Sequence, residues 1–155
     1  MMRSLCALIV LVGGVGVAVA ADEVKVDLKT FQWKCAFEAG KDLGGYDDTE
    51  NRFFFHTNGS ATGDVTIPED GEYTITVEAS CSEAQKTFAK FKLTVGDVVV
   101  AKEFACTTED AKKYNFTAKL KKGKQPLAIA FLNDVFKEGE YDRNLFVYSV
   151  KVEKK

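Results

Sequence analysis

Tyr73-Thr74-Ile75-Thr76-Val77-Glu78-Ala79 alternates apolar and polar residues without a break, and Pro68-Glu69-Asp70-Gly71 stands just before it. Period-two alternation puts Tyr73, Ile75, Val77 and Ala79 on one face of an extended chain. Pro-Glu-Asp-Gly is turn chemistry, so a strand begins there. The same reading extends outward. Phe91, Leu93 and Val95 alternate with lysine and threonine, and Gly96-Asp97 supplies a two-residue hairpin turn into 98–104. Tyr114, Phe116, Ala118 and Leu120 alternate with polar residues, and Lys122-Gly123 turns the chain into 127–132, an apolar run expected to be buried on both sides. The last strand, 144–152, is expected to point Phe146, Tyr148, Val150 and Val152 inward.

Shorter strands are predicted over 24–28, 33–38, 53–56 and 64–67. Eight to ten short strands at regular spacing, with no helical period beyond single turns at 81–90 and 109–113, predict an all-β fold. The expected form is a jelly-roll-like β-sandwich of two antiparallel sheets. The 12 phenylalanines suit the core between them.

The chain has 155 residues, 46% of them apolar, which is one ordinary domain with a real core. Lysine and arginine number 21 against 23 acids, a net charge of −2. That balance excludes the basic footprint of a nucleic-acid or anionic-membrane binder. Residues 1–20 read as a signal peptide: Arg3, an uncharged apolar run, and the small-x-small ending Ala18-Val19-Ala20 before Asp22, Glu23 and Lys25. The run is short of the ~20 residues that span a bilayer. Export to the periplasm or medium is expected, leaving 21–155 as a single domain. Export permits disulfides among Cys35, Cys81 and Cys106. Cys81 and Cys106 each end a strand, and a bridge between them is expected if those strands lie in opposite sheets. Such a bridge would stabilise by about 3 kcal/mol in the chain-entropy model.

Chemistry concentrates near the C-terminus. Two apolar strands flank a loop with Asp134 at one root and Asp142 at the other. If the strands pair as a hairpin, the two carboxylates face each other and repel, and a cation resolves the conflict. Calcium suits carboxylates and carbonyls, whereas zinc would want His or Cys and the one histidine, His56, is distant in sequence. Asp is equally a turn-capping residue, so spacing alone leaves both readings open. Asn58-Gly59-Ser60 and Asn115-Phe116-Thr117 match the glycosylation sequon. No G-x-S-x-G, H-E-x-x-H or phosphate loop is present, and a glycosidase using Asp134 and Asp142 is the one enzymatic alternative.

Phe131-Leu132-Asn133-Asp134 and Asp142-Arg143-Asn144-Leu145 resemble the F-x-N-D and D-R-N-L elements of the calcium-dependent xylan-binding carbohydrate-binding modules. The resemblance implies a lectin-like, non-catalytic β-sandwich. In it Asp134, Asp142 and the carbonyl of Tyr141 hold Ca²⁺, and neighbouring hydroxyls of xylan or a related β-glycan complete the coordination. Tyr141 would also offer its ring to the sugar. Tyr148 departs from the Asp often found at that place. On this reading Arg143 pairs with a nearby acid, Asn144 ties the loop to backbone, Trp33 is core rather than platform, and 46–48 is a candidate for a further ligand carbonyl. The rival reading is a structural or adhesive sandwich in which calcium only rigidifies the loop.

Overall fold

The computed structural model describes residues 23–155, and the expected signal peptide lies outside them. The strands are β1 (Glu23–Lys25), β2 (Gln32–Cys35), β3 (Gly44–Asp47), β4 (Arg52–Phe55), β5 (Gly59–Ile67), β6 (Gly71–Cys81), β7 (Lys90–Val95), β8 (Val98–Ala105), β9 (Lys112–Leu120), β10 (Gly123–Phe131), β11 (Phe136–Lys137), β12 (Tyr141–Asp142) and β13 (Leu145–Lys154). One sheet runs β3-β4-β13-β6-β9, with β1 also on β13; the other runs β2-β5-β10-β7-β8. All pairings are antiparallel. The predicted all-β sandwich is therefore the observed fold. Helical structure among the described residues is confined to single 3-10 turns at Leu28–Thr30 and Glu38–Gly40. The loop 82–89, expected to turn helically, is instead pinched by an Ala84–Thr87 bridge.

The core lies between the sheets. Tyr73, Ile75, Val77 and Ala79 of β6 are fully buried and face Phe91, Leu93 and Val95 of β7 and Leu127, Ile129 and Phe131 of β10. Each large apolar side chain withdrawn from water contributes about 1.5–3 kcal/mol. Tyr73 is buried whole because its hydroxyl donates to the carbonyl of Glu69 at 2.8 Å. Gly96 takes the positive φ (55°) that the two-residue β7–β8 turn requires.

Two orientations differ from expectation. The run 127–132 is buried on one side only: Ala128 and Ala130 face outward and Leu132 is 39% exposed. In β13, Phe146 and Tyr148 point out of the sandwich, not into it. The pairing with β6 runs Val147–Ala79 and then Ser149–Glu78, so Tyr148 is an extra residue in a bulge. A bulge reverses the parity of alternation. Leu145 and Val147 are core before it, Val150 and Val152 after it.

The registers place five connections at one rim of the sandwich: 36–43, 56–58, 82–89, 106–111 and 132–144. Trp33 anchors the first of them. Its indole N–H donates to the Gly40 carbonyl at 3.0 Å and its ring meets Phe55 edge-on at 5.6 Å. A Cβ on Gly44 or Gly59 would stand 2.4 or 2.3 Å from the Trp33 ring, so both glycines are needed for it to fit. Trp33 is thus packing, as expected.

Candidate metal centre and glycan cleft

The strands flanking Asp134 and Asp142 do not pair as the predicted hairpin. β10 and β13 lie in opposite sheets, and the 132–144 loop crosses the rim between them. A smaller hairpin inside the loop does the work instead. β11 and β12 set Asp142 opposite Phe136, two residues beyond Asp134. The two carboxylates therefore still converge, on one cleft of about 360 Å³ lined by Phe37, Leu43, His56, Thr57, Asp134, Phe136 and Asp142. That size lies within the range of small-molecule sites.

The motif residues beside the two acids hold the loop. Arg143 is buried and donates to the carbonyls of Thr87 (2.9 Å), Asn133 and Ala84. It pairs with backbone rather than with the expected acid; among the described residues no carboxylate lies within salt-bridge distance of it. Asn133 accepts from the Lys90 amide at 2.7 Å and donates to the Phe88 carbonyl at 3.0 Å. Asn144 donates to Asp142 Oδ2 at 2.8 Å, while its backbone N–H and carbonyl meet Ser82. Ser82 Oγ also donates to the Asp142 carbonyl at 2.7 Å. Asp134 is fixed from the 56–58 connection: its amide donates to Asn58 Oδ1 at 2.8 Å and its Oδ2 accepts from Thr57 at 3.2 Å.

Its other oxygen is the decisive atom. Asp134 Oδ1 is buried and has no hydrogen-bond partner among the described residues. A buried carboxylate oxygen without a donor is costly unless something positive meets it. Burial pushes the Asp134 carboxyl above its ordinary range; the Thr57 hydroxyl opposes it, the Asp142 charge adds to the push, and the Arg143 charge and the Val135 amide pull the other way more weakly. Asn144 Oδ1 is a second buried oxygen without a donor. An all-oxygen set with surplus acceptor capacity fits a hard cation. No cluster of three or more His, Cys, Asp or Glu side chains placed to hold a metal occurs among the described residues, so a cation here would need further oxygens from backbone, water or ligand.

The apolar walls were not read from sequence. Phe136 is 66% exposed, Phe37 48% and Leu43 37%. Burial pushes the His56 imidazole below its ordinary range, so it lines the cleft as a neutral ring at pH 7. Tyr141 is a partial disagreement. Its hydroxyl accepts from Gln85 at 2.9 Å and its ring does not line the cleft. Residues 46–48 lie at the far end of β3, since Gly44 meets Phe55 near the rim and Asp47 meets Arg52 away from it. They are not brought to the cleft. The expected Cys81–Cys106 bridge is not formed in the structure: both cysteines are buried free thiols. They end strands of opposite sheets, and the hydrogen bond that the Cys106 thiol donates to Cys81, together with burial, pushes the Cys106 thiol up.

A two-sheet sandwich with an acid-floored, aromatic-walled cleft at its loop rim has the architecture of a carbohydrate-binding module. Residues 74–155, which carry most of β6, all of β7 to β13 and both aspartates, match the family model CBM60, described as a Ca-dependent, xylan-binding carbohydrate-binding module; the chain belongs to that family. Solved structures agree on the fold. A CBM36 module in complex with calcium and xylotriose superposes with a TM-score of 0.59 at 15% identity, covering 84% of this chain and 97% of that one. The CBM36-1 domain of a multidomain xylanase from the hindgut metagenome of Trinervitermes trinervoides gives 0.58 at 10% identity, covering 86% and 96%. A family 35 module from Clostridium thermocellum gives 0.54 at 14% identity, covering 85% and 98%. No curated protein matches the chain.

Proposed function

We propose that this chain is an exported, non-catalytic module that grips xylan or a related β-glycan through a calcium ion held by Asp134 and Asp142. The observation that carries the reading is the buried, partnerless Asp134 Oδ1 beside a second carboxylate in a cleft open to ligand. Bound calcium supplies coordination positions for a pair of neighbouring sugar hydroxyls. The protein does the rest. Asp134 and Asp142 hold the ion, with the Tyr141 carbonyl as a further candidate. Thr57, Asn58 and Asn144 orient the two carboxylates. Phe136, Phe37 and Leu43 offer apolar surface to the sugar ring faces and thin the water around the ion. With both aspartates on the metal, neither is free to protonate a leaving group.

Calorimetry tests this directly. Calcium alone gives heat, xylo-oligosaccharide added next gives more, and a chelator abolishes the second signal. Asp142→Ala removes both. Glycan binding that persists in chelator overturns the reading. Heat with calcium but with no oligosaccharide leaves only a structural ion, and release of reducing sugar makes the protein an enzyme.

Export also bears on the thiols. Cys81 ends β6, and Cys106 follows β8 in the opposite sheet. In an oxidising compartment the pair closes by thiol–disulfide exchange, passing two electrons and two protons to a disulfide oxidant. The intact mass of protein recovered from the medium of an exporting host reports both events. A chain starting near residue 21, with Cys81 and Cys106 resistant to alkylation until reduced, is the expected result. Rapid alkylation of all three thiols under denaturing, non-reducing conditions excludes the bridge.

A further inference from the structure

The cleft does not end at its rim. His56 lines it and also belongs to the outward face of β4, where Arg52 and Phe54 alternate with the buried Phe53 and Phe55. The bulge in β13 adds Phe146 and Tyr148 to the same outer face. The side chains form a continuous stripe. His56 packs on Phe54 at 4.8 Å and edge-on against Phe146 at 5.8 Å. The Arg52 guanidinium lies over the Phe146 ring at 4.1 Å, and its Nη1 reaches Tyr148 Oη at 3.4 Å. Tyr148 Oη sits 3.1 Å from Ser80 Oγ.

Arg52 lacks a counter-ion. Among the described residues no carboxylate lies within 4 Å of it. Asp47, directly across the β3–β4 ladder, accepts instead from the amides of Thr49 and Glu50. Arg52 Nε is buried without a hydrogen-bond acceptor. A guanidinium held over an aromatic ring, poor in acceptors, favours a planar anion above others. Four steps of extended chain separate it from His56, about 13 Å at the usual rise. That is the reach of a short oligosaccharide extending from the cleft.

We propose that the stripe continues the glycan site and that its occupant is an acidic glycan, one bearing a uronic acid whose carboxylate takes Arg52 while the calcium-bound diol sits in the cleft. The inference rests on the calcium reading above. Phe54, His56 and Phe146 offer ring faces and edges to the intervening sugars, and Tyr148 fixes the guanidinium. The anionic group falls at the Arg52 end of the stripe, away from Asp134 and Asp142.

Calorimetry in calcium, comparing neutral xylo-oligosaccharides with the same chains bearing a glucuronic acid branch, tests it. The acidic ligand binds the native protein roughly tenfold more tightly, the worth of one charge-assisted contact, and the advantage shrinks as salt rises. Arg52→Gln erases the advantage, bringing the acidic ligand to the affinity of the neutral one, while calcium binding is retained; Arg52→Lys keeps part of the advantage. Asp142→Ala loses both ligands. Equal affinity for the two ligands, or a preference that survives Arg52→Gln, overturns the acidic-glycan inference and leaves the calcium reading standing. Binding of neither ligand in the presence of calcium overturns both.

Discussion

Asp134→Asn raises the melting temperature of the calcium-free protein and at the same time removes its response to calcium. The two effects share a cause. In the calcium-free fold the Asp134 carboxylate is partly withdrawn from water, one of its oxygens has no donor, and the Asp142 charge stands beside it. Both burial and like charge disfavour the ionised form. An amide keeps an acceptor for the Thr57 hydroxyl and carries no charge. The pH dependence follows from the direction of the shift. A carboxyl whose pKa is raised on folding binds its proton more tightly in the native state than in the unfolded one. Its contribution is therefore favourable below the unfolded value near 3.9, and it is lost as pH rises through the raised native value. The stability of native protein minus that of Asp134→Asn should fall across that window and stay flat above it. With calcium the order reverses. An ion at a hundred times its Kd adds about 2.7 kcal/mol, roughly 10 °C for a domain of this size, to the native protein and nothing to the variant. Thermal melts in chelator and in calcium, from acid to neutral pH, measure all of this. A calcium-free variant less stable than the native protein at neutral pH would mean that the Asp134 charge has a partner and that the conflict does not exist.

Much of the fold was legible because its central strands are regular. Tyr73 to Ala79 obey period two for their full length and bury the residues that alternation assigns to the core. The reading failed where one strand gains a residue. Val150 and Val152 are core as alternation predicts, but the same parity carried backwards assigns Phe146 and Tyr148 to the core, and they face outward. Nothing local marks the bulge at Tyr148, because it exists in the pairing with β6 and not in β13 alone. That single insertion turns two aromatics from core into the surface stripe beside Arg52. Asp134 and Asp142 converge as expected by a different route, a two-residue ladder within the loop rather than pairing of the flanking strands. Phe136 carried a usable signal, an aromatic ring inside a polar loop between two acids. Phe37 and His56 carried none, since each reaches the cleft on another crossing of the rim and only the topology joins them.

The remaining large effect concerns Arg143, which touches neither cation nor sugar. Arg143→Met should cost about 3–5 kcal/mol of folding free energy, a large share of the 5–15 kcal/mol typical of a domain. Arg143 is 6% exposed, and its guanidinium donates to three carbonyls from two segments, Ala84 and Thr87 of the 82–89 loop and Asn133 of the loop that carries Asp134. Methionine fills the volume but leaves those carbonyls buried without donors, and each such loss costs about 1–3 kcal/mol before relaxation. Lysine restores the charge but not the planar fork, so Arg143→Lys should fall between the two. The damage reaches the cleft through the same bonds. The 82–89 loop supplies Ser82, which donates to the Asp142 carbonyl and receives the Asn144 amide, so freeing that loop loosens Asp142 and its neighbour together. Calcium affinity should drop in Arg143→Met even at temperatures where the variant remains folded, and the deficit should track stability across the Met and Lys pair. Urea denaturation with parallel calcium titration reads both quantities. A methionine variant within 1 kcal/mol of native stability, or one that binds calcium normally, would show that the rim loops hold their positions without the buried guanidinium.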